Sequence, residues 1–224
     1  MTFKEAIYDI REGLKLLSID SDFTDRQIAF LLRTYRGTVI RQFLTNNPGE
    51  HRDILTQTLY MVLEDVDLSR FPDEIQNTTT LRGSIKTIPN IIGQQMYKEI
   101  VVRTVERLGK EIEIVHKDRA QFYLYAPKGF IYGYVDDDSK LYLISSDPVY
   151  KNIGQVTVTA IFEDPEAIID INELSGDLDL YPITSHLWAS VKSMTLEHIA
   201  RQLSLPIDTI NDKADEQLSQ NTQK

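Results

Sequence analysis

Proton transfer or metal chemistry in this chain would have to be built from four histidines, a run of three aspartates and glutamates three residues apart. His51, His116, His186 and His198 are scattered, and no His-Glu-x-x-His pattern sets two of them one helical turn apart, as zinc would need. Asp136, Asp137 and Asp138 lack the alternating ligands, the glycine and the distal glutamate of a calcium loop, so a turn that hydrogen-bonds its own backbone is expected there. Glu163 and Glu166 become an acid and a base only if a fold sets their separation, and as sequence they read as surface acids. No phosphate-binding glycine loop, dinucleotide turn or nucleophile elbow occurs. The absence of cysteine removes disulfides, thiolate ligands and thiol nucleophiles together. A protein without catalytic residues, metal or cofactor is therefore expected.

Charge is more informative. The net charge of −10 over 224 residues disfavours general binding to phosphate backbones, whose affinity comes from lysine and arginine displacing counterions. Between Lys151 and Lys192 there is no basic residue, while Glu163, Asp164, Glu166, Asp170, Glu173, Asp177 and Asp179 are all acidic. That interval reads either as a solvated acidic loop or as a surface for a basic partner. Thr195 to Pro206 has the look of the first helix and turn of a helix-turn-helix, which would make residues 195–214 a DNA-binding regulator's module. Its continuation carries Asp208, Asp212, Asp215 and Glu216 against Lys213, a set that repels the DNA backbone.

The elements that must position these side chains follow from hydrophobic rhythm. Phe3, Ile7, Ile10, Leu14 and Leu17 recur at helical spacing and predict a first amphipathic helix. Thr24 and Gln27 form a capping box for a second, whose apolar stripe is Ile28, Leu31, Leu32, Tyr35 and Val39 and whose opposite side carries Arg26, Arg33, Arg36 and Arg41. Asn46-Asn47-Pro48-Gly49 should end that helical hairpin. From Leu55 the period shortens to two, with strands expected at Leu59–Leu63, Ile100–Val105, Gln121–Tyr125, Phe130–Val135, Leu141–Ser145 and Val156–Phe162. Turns at Ala126–Gly129 and Asp136–Ser139 suggest an antiparallel meander. Tyr123, Tyr125, Tyr132, Tyr134 and Tyr142 then read as cross-strand aromatic pairs or as a protein-binding face. Helical spacing returns at Ile183, Leu187, Val191 and Met194 and continues to Leu203 before Pro206, and the polar run from Asn211 to Lys224 is too poor in apolar residues to order itself alone.

The expected fold class is α+β: a helical hairpin at 1–47, a β-rich insertion at 48–165, an acidic loop and C-terminal helix at 166–210 packing back on the hairpin, and a polar tail at 211–224. No stretch approaches the roughly 20 apolar residues of a membrane span, and Met1 to Ile10 lacks a signal-peptide core, so membrane insertion and secretion are not expected.

Several strings have a family look: Ile19-Asp20-Ser21-Asp22, then Asp25 to Arg36 with Ile40-Arg41-Gln42, then Ile161 to Pro165, Tyr181-Pro182-Ile183, and Pro206 to Asp212. In this order, over most of its length, the chain resembles a virion structural protein of crAss-like short-tailed phages. The resemblance implies a ring or head-to-tail connector subunit in the virion at the portal vertex, assembled in the host cytoplasm, joining capsid to tail. It implies as partners a homo-oligomeric ring of twelve copies, the portal protein, other tail or ring proteins, and DNA in transit without sequence-specific binding. Connectors of this kind are helical with a C-terminal segment that reaches a neighbour, here Ile207, Asp208 and Ile210, and the β insertion departs from the simplest of them. Independently, a head-to-tail ring needs two unlike, complementary patches. Arg26, Arg33, Arg36 and Arg41 could meet Glu163, Asp164, Glu166, Asp170 and Glu173 of the next copy, or the two sets could pair within one chain.

Overall fold

In the computed structural model of the chain, the described residues are 1–17, 23–47, 52–67, 69, 80–93, 100–105, 109–123, 129–172 and 181–204. Helix α1 (Phe3–Leu17) starts with a capping box that mirrors the expected one. The Glu5 amide donates to Thr2 Oγ1 at 3.1 Å and the Thr2 amide to Glu5 Oε2 at 2.7 Å. Helix α2 (Asp25–Asn46) carries the box read from sequence, with Gln27 N–H on Thr24 Oγ1 at 3.3 Å and Thr24 N–H on Gln27 Oε1 at 2.9 Å. It stops where the Asn47 main-chain and side-chain N–H groups both close on the Phe43 carbonyl. Helix α6 (Ser185–Ser204) matches the C-terminal helix read from sequence, and Leu187, Val191 and Ile199 bury with Phe3, Ala6, Ile10, Leu14, Ile28 and Leu32 in one helical core. Gly13 makes the close approach possible, because a Cβ there would stand 3.0 Å from Leu196 Cδ1.

Between these helices the described residues form a short helix α3 (Arg52–Leu55) and seven strands: β1 (Gln57–Asp65), β2 (Thr80–Ser84), β3 (Val101–Thr104), β4 (Glu111–Ile114), β5 (Tyr132–Val135), β6 (Leu141–Ser145) and β7 (Gln155–Ala160). They close into a barrel in the order β1-β2-β6-β5-β4-β3-β7. This corrects the expected antiparallel meander in two ways: the sheet has no free outer strands, and β4 runs parallel to β5, pairing Glu113 with Tyr132 and Ile114 with Gly133. A parallel pair needs a crossover, and helix α4 (Lys117–Tyr123) supplies it. The strand expected at Gln121–Tyr125 is therefore helical up to Tyr123. Ala120 and Tyr123, three residues apart, share a small outer cluster with Tyr132, Tyr134 and Tyr142, a helical spacing that the tyrosine alternation concealed. Residues 124–128, and with them Tyr125 and most of the Ala126–Gly129 turn, lie outside the described residues. Tyr134 and Tyr142 form a stacked cross-strand pair at 5.2 Å and Tyr123 lies 4.3 Å from Tyr132, so these rings are spent on packing.

Strands β2 and β4 were not anticipated, although Glu111-Ile112-Glu113-Ile114 alternates cleanly. The Asp136–Ser139 turn forms as read: Ser139 N–H returns to the Asp136 carbonyl at 2.9 Å, and Asp137 N–H bonds Asp136 Oδ1 at 2.8 Å. Lys117 then ties α4 to this turn by bonding both Asp136 and Asp137.

The barrel is a filled core. Leu59, Met61 and Leu63 of β1, Val156 and Val158 of β7, Val102, Ile112, Leu141 and Leu143 all point inward, and Tyr150, Phe162 and Ile168 are buried with them. Strand β1 holds β7 along Gln57–Val62 but meets β2 only at Leu63–Asp65. The gap on its other edge is covered by helix α5 (Pro165–Asn172): Asn172 Oδ1 accepts the Tyr60 amide at 2.8 Å and its Nδ2 donates to the Thr58 carbonyl at 3.0 Å. One side chain thus imitates a strand and leaves that edge closed to further pairing.

Gly133 faces this interior, and a Cβ there would lie 2.6 Å from Ile114 Cδ1 and 3.2 Å from Leu143 Cδ2. Gly133→Val is expected to cost about 1–3 kcal/mol through overpacking, read as a lowered denaturant midpoint with an unchanged slope. The Lys117 hydrogen bond, then the Asp137 amide, hold the Asp136 carboxyl below the usual range. Its stabilising contribution is complete above the ordinary aspartate value and is lost as pH falls through the lower folded value. Melting curves of D136N are expected to lack that acid-side loss, and an unchanged pH profile would count against the tie.

Candidate functional site

The densest polar constellation lies where α2 meets the segment leaving the barrel. Asp164 caps α5, accepting the Glu166 amide at 3.0 Å, and Pro165 occupies the first helical position, where a missing N–H costs nothing. The acidic interval read from sequence thus contains a helix start. Arg33 pairs with Glu166 and stands 3.4 Å from Asp164 Oδ1, and Arg41 bonds Glu163 Oε1 at 2.6 Å. These arginines and acids meet within one chain, the second of the two arrangements left open by the sequence.

Arg36 departs most from expectation. Placed by sequence on an exposed basic side, it is fully buried, because the barrel exit and the lead-in to α6 both cross over α2 at this point. Its guanidinium donates to the Phe162 carbonyl at 2.7 Å, to the Glu163 carbonyl at 3.4 Å, and through two nitrogens to the Pro182 carbonyl at 3.3 and 3.1 Å. The Tyr181 ring lies 5.6 Å from its central carbon, a cation–π distance. Burial pushes Arg36 down to about 10, against the opposing pull of Tyr181 and Asp164, so it stays charged at neutral pH. Tyr181 is itself held by a 3.2 Å bond from its hydroxyl to the Leu32 carbonyl, and burial moves its hydroxyl above the ordinary range. Tyr181 stands in the sequence analysis only as part of a family string, with no role at this junction, and Asn172 at the β1 edge is not singled out there; the Asp164-Pro165-Glu166 helix start was the available signal for Asn172.

Of the other expected interface residues, Arg26 is exposed on the first turn of α2. The Asp170 side chain and the whole of Glu173, Ile207, Asp208 and Ile210 lie outside what the structure describes. Thr195 to Ser204 forms the second half of α6, with Thr195 and Ile199 buried, so it is not a separate first helix of a DNA-reading pair; residues 205–214 lie outside the described residues. His198 bonds Tyr35 Oη at 2.8 Å and Gln202 at 3.0 Å, a packing role between α2 and α6. Among the described residues no group of three or more His, Cys, Asp or Glu could hold a metal ion, and no helix is long and apolar enough to cross a membrane.

The polar side chains at this junction hold two parts of the fold together. The sequence pattern of the phage tail ring protein 2 family matches residues 5–217. The chain belongs to that family. It is 28% identical to Ring protein 2 of Bacteroides phage crAss001 over 167 residues, covering 73% of this chain and 72% of that protein. A crAss-like phage ring protein is what the sequence strings indicated, and a structural component of the virion tail follows from the family.

Arg36→Met leaves the carbonyls of Phe162 and Pro182 without their donor in a buried setting and is expected to destabilise by about 2–4 kcal/mol. Arg41→Ala, which breaks a half-exposed pair, is expected to stay within about 1 kcal/mol. Urea unfolding of both variants checks this, and equal effects would contradict the distinction.

Proposed function

We propose that the protein is a non-enzymatic subunit of a closed ring between the portal vertex and the tail of a crAss-like phage, touching the portal protein and adjacent ring or tail proteins. Twelve copies are proposed, surrounding a channel that DNA crosses without sequence-specific contact. The observation that carries this reading is the family match over nearly the whole chain. It is supported by an architecture in which Arg33, Arg36, Arg41, Glu163, Asp164 and Glu166 hold the helices to the barrel exit. A surplus of acids suits a channel wall, since like charge keeps passing DNA from adhering. In this proposal 1–47 with the C-terminal helix forms a helical platform, 48–165 together with α5, which packs on β1, a projecting β module and 211–224 a tail, with Arg26, Asp170, Glu173, Ile207, Asp208 and Ile210 available to neighbours.

Native mass spectrometry of the full chain, alone and mixed with the portal protein of its phage, tests the reading. A single closed oligomer in one of the two preparations, bound to the portal protein in the second and with no salt-dependent duplex DNA affinity, is expected. A chain that stays monomeric in both preparations would overturn it.

A further inference from the structure

Among the described residues two large hydrophobic cores meet without sharing a member, one filling the barrel and the other lying between α1, α2 and α6. The wall between them is a short two-stranded strap, Asn90–Ile92 against Ile161–Glu163. The Ile92 amide donates to the Ile161 carbonyl at 2.7 Å and the Glu163 amide to the Asn90 carbonyl at 2.8 Å, with Ile91 bridged antiparallel to Phe162. Extended chain turns successive side chains to opposite sides. Ile91 and Phe162 accordingly pack with the barrel core, while their neighbours Ile92 and Ile161 are buried in the helical core. Neither lobe can draw away from the other without stripping one side of the strap from its core.

The attachments of the strap to the helices are unequal. Arg33 and Arg41 reach the acids that follow it, but both side chains are more than a third exposed, and such pairs contribute little. Arg36 is fully buried and donates to the Phe162 carbonyl at 2.7 Å and the Glu163 carbonyl at 3.4 Å on the strap itself, and to the Pro182 carbonyl on the segment that enters α6. Without the guanidinium, these carbonyls recover a donor only where the strap lifts and water enters. Lifting at Phe162 carries Ile161, its chain neighbour, and Ile92, bonded to Ile161, out of the helical core. The barrel side, Ile91 and Phe162, stays where it is.

We infer that Arg36 is the clamp of a joint: it keeps the strap seated on α2, and its release opens the molecule between two lobes that each stay folded around their own core. The clamp thereby fixes the orientation of the barrel relative to the three helices. Its loss frees a motion, which distinguishes it from an ordinary core residue whose loss only lowers global stability.

Hydrogen exchange of the full chain, followed peptide by peptide in increasing sub-denaturing urea, separates the two cases. Local opening exposes little surface and depends weakly on urea, whereas global unfolding depends on it steeply. In R36M the amides of Ile92 and Glu163 are expected to exchange about 30-fold faster than in the wild type or more, with a shallow urea dependence. The β1–β7 ladder over Gln57–Val62 and the middle of α6 should keep a steep one. R36K retains the charge but not the fork that spans both crossings, so it should show the same shallow exchange with a smaller increase, and it serves where R36M does not fold. R41A should leave the strap amides within about fivefold of the wild type. Strap amides that exchange as in the wild type, or with a urea dependence as steep as the ladder's, would overturn the joint. So would failure of both Arg36 variants to fold, since neither lobe would then keep its core without the other.

Discussion

Among the described residues one cation, Arg36, is fully buried, and it fixes two chain crossings to α2. Arg36 reaches from the middle of α2 to three carbonyls, two on the chain as it leaves the barrel and one just before it enters α6. Desolvating a guanidinium is costly, and the cost is offset only when its donors are met. Here they are met by main-chain oxygens that also need donors, so the two chain crossings are fixed against α2 by the same hydrogen bonds. Tyr181 completes the enclosure, packing on Phe3 at 5.3 Å and edge-on to Trp188 at 6.1 Å, which ties the crossing to α1 and α6. The surface pairs Arg33–Glu166 and Arg41–Glu163 flank this centre and add direction more than strength.

The barrel places its own demands on the connections. Seven short strands can leave no sheet edge free only if every gap is closed, and β1 is too long to hold one partner along its whole length on its second side. Helix α5 fills the gap from outside with Asn172 and from within with Ile168, which is buried in the barrel core. The stretch that holds most of the acids is therefore structural in its first half: it leaves the barrel, caps a helix, closes an edge and supplies the partners of the α2 arginines.

For a ring protein this use of charge has a consequence at the surface. Arg33 and Arg36 of α2 are drawn toward the barrel exit, Arg26 stays exposed one turn before the exposed Phe30, and the barrel presents Tyr60, Val62 and Val101 on one side. Long-range charge still acts through the net value of −10, which repels DNA and other anions without being tied to one patch.

Residues with local periodicity were legible in advance. The Thr24–Gln27 box, the α1, α2 and α6 stripes, the alternation of Leu59, Met61 and Leu63 and the Asp136–Ser139 turn each depend on neighbours within a few positions, and the sequence alone determined them. The same is true of the mixed α+β class and, through its short family strings, of the virion ring assignment. Partners that are not neighbours in sequence were decided only by the tertiary structure: the barrel closure, the parallel β4–β5 pair, the burial of Arg36 under Phe162 and Pro182, and the pairing of Arg33 with Glu166. Periodicity reports which side of an element is apolar, but a long arginine reads as polar whether it ends in water or on a buried carbonyl. What separates those outcomes is which chain segment crosses above it, a property of the whole fold.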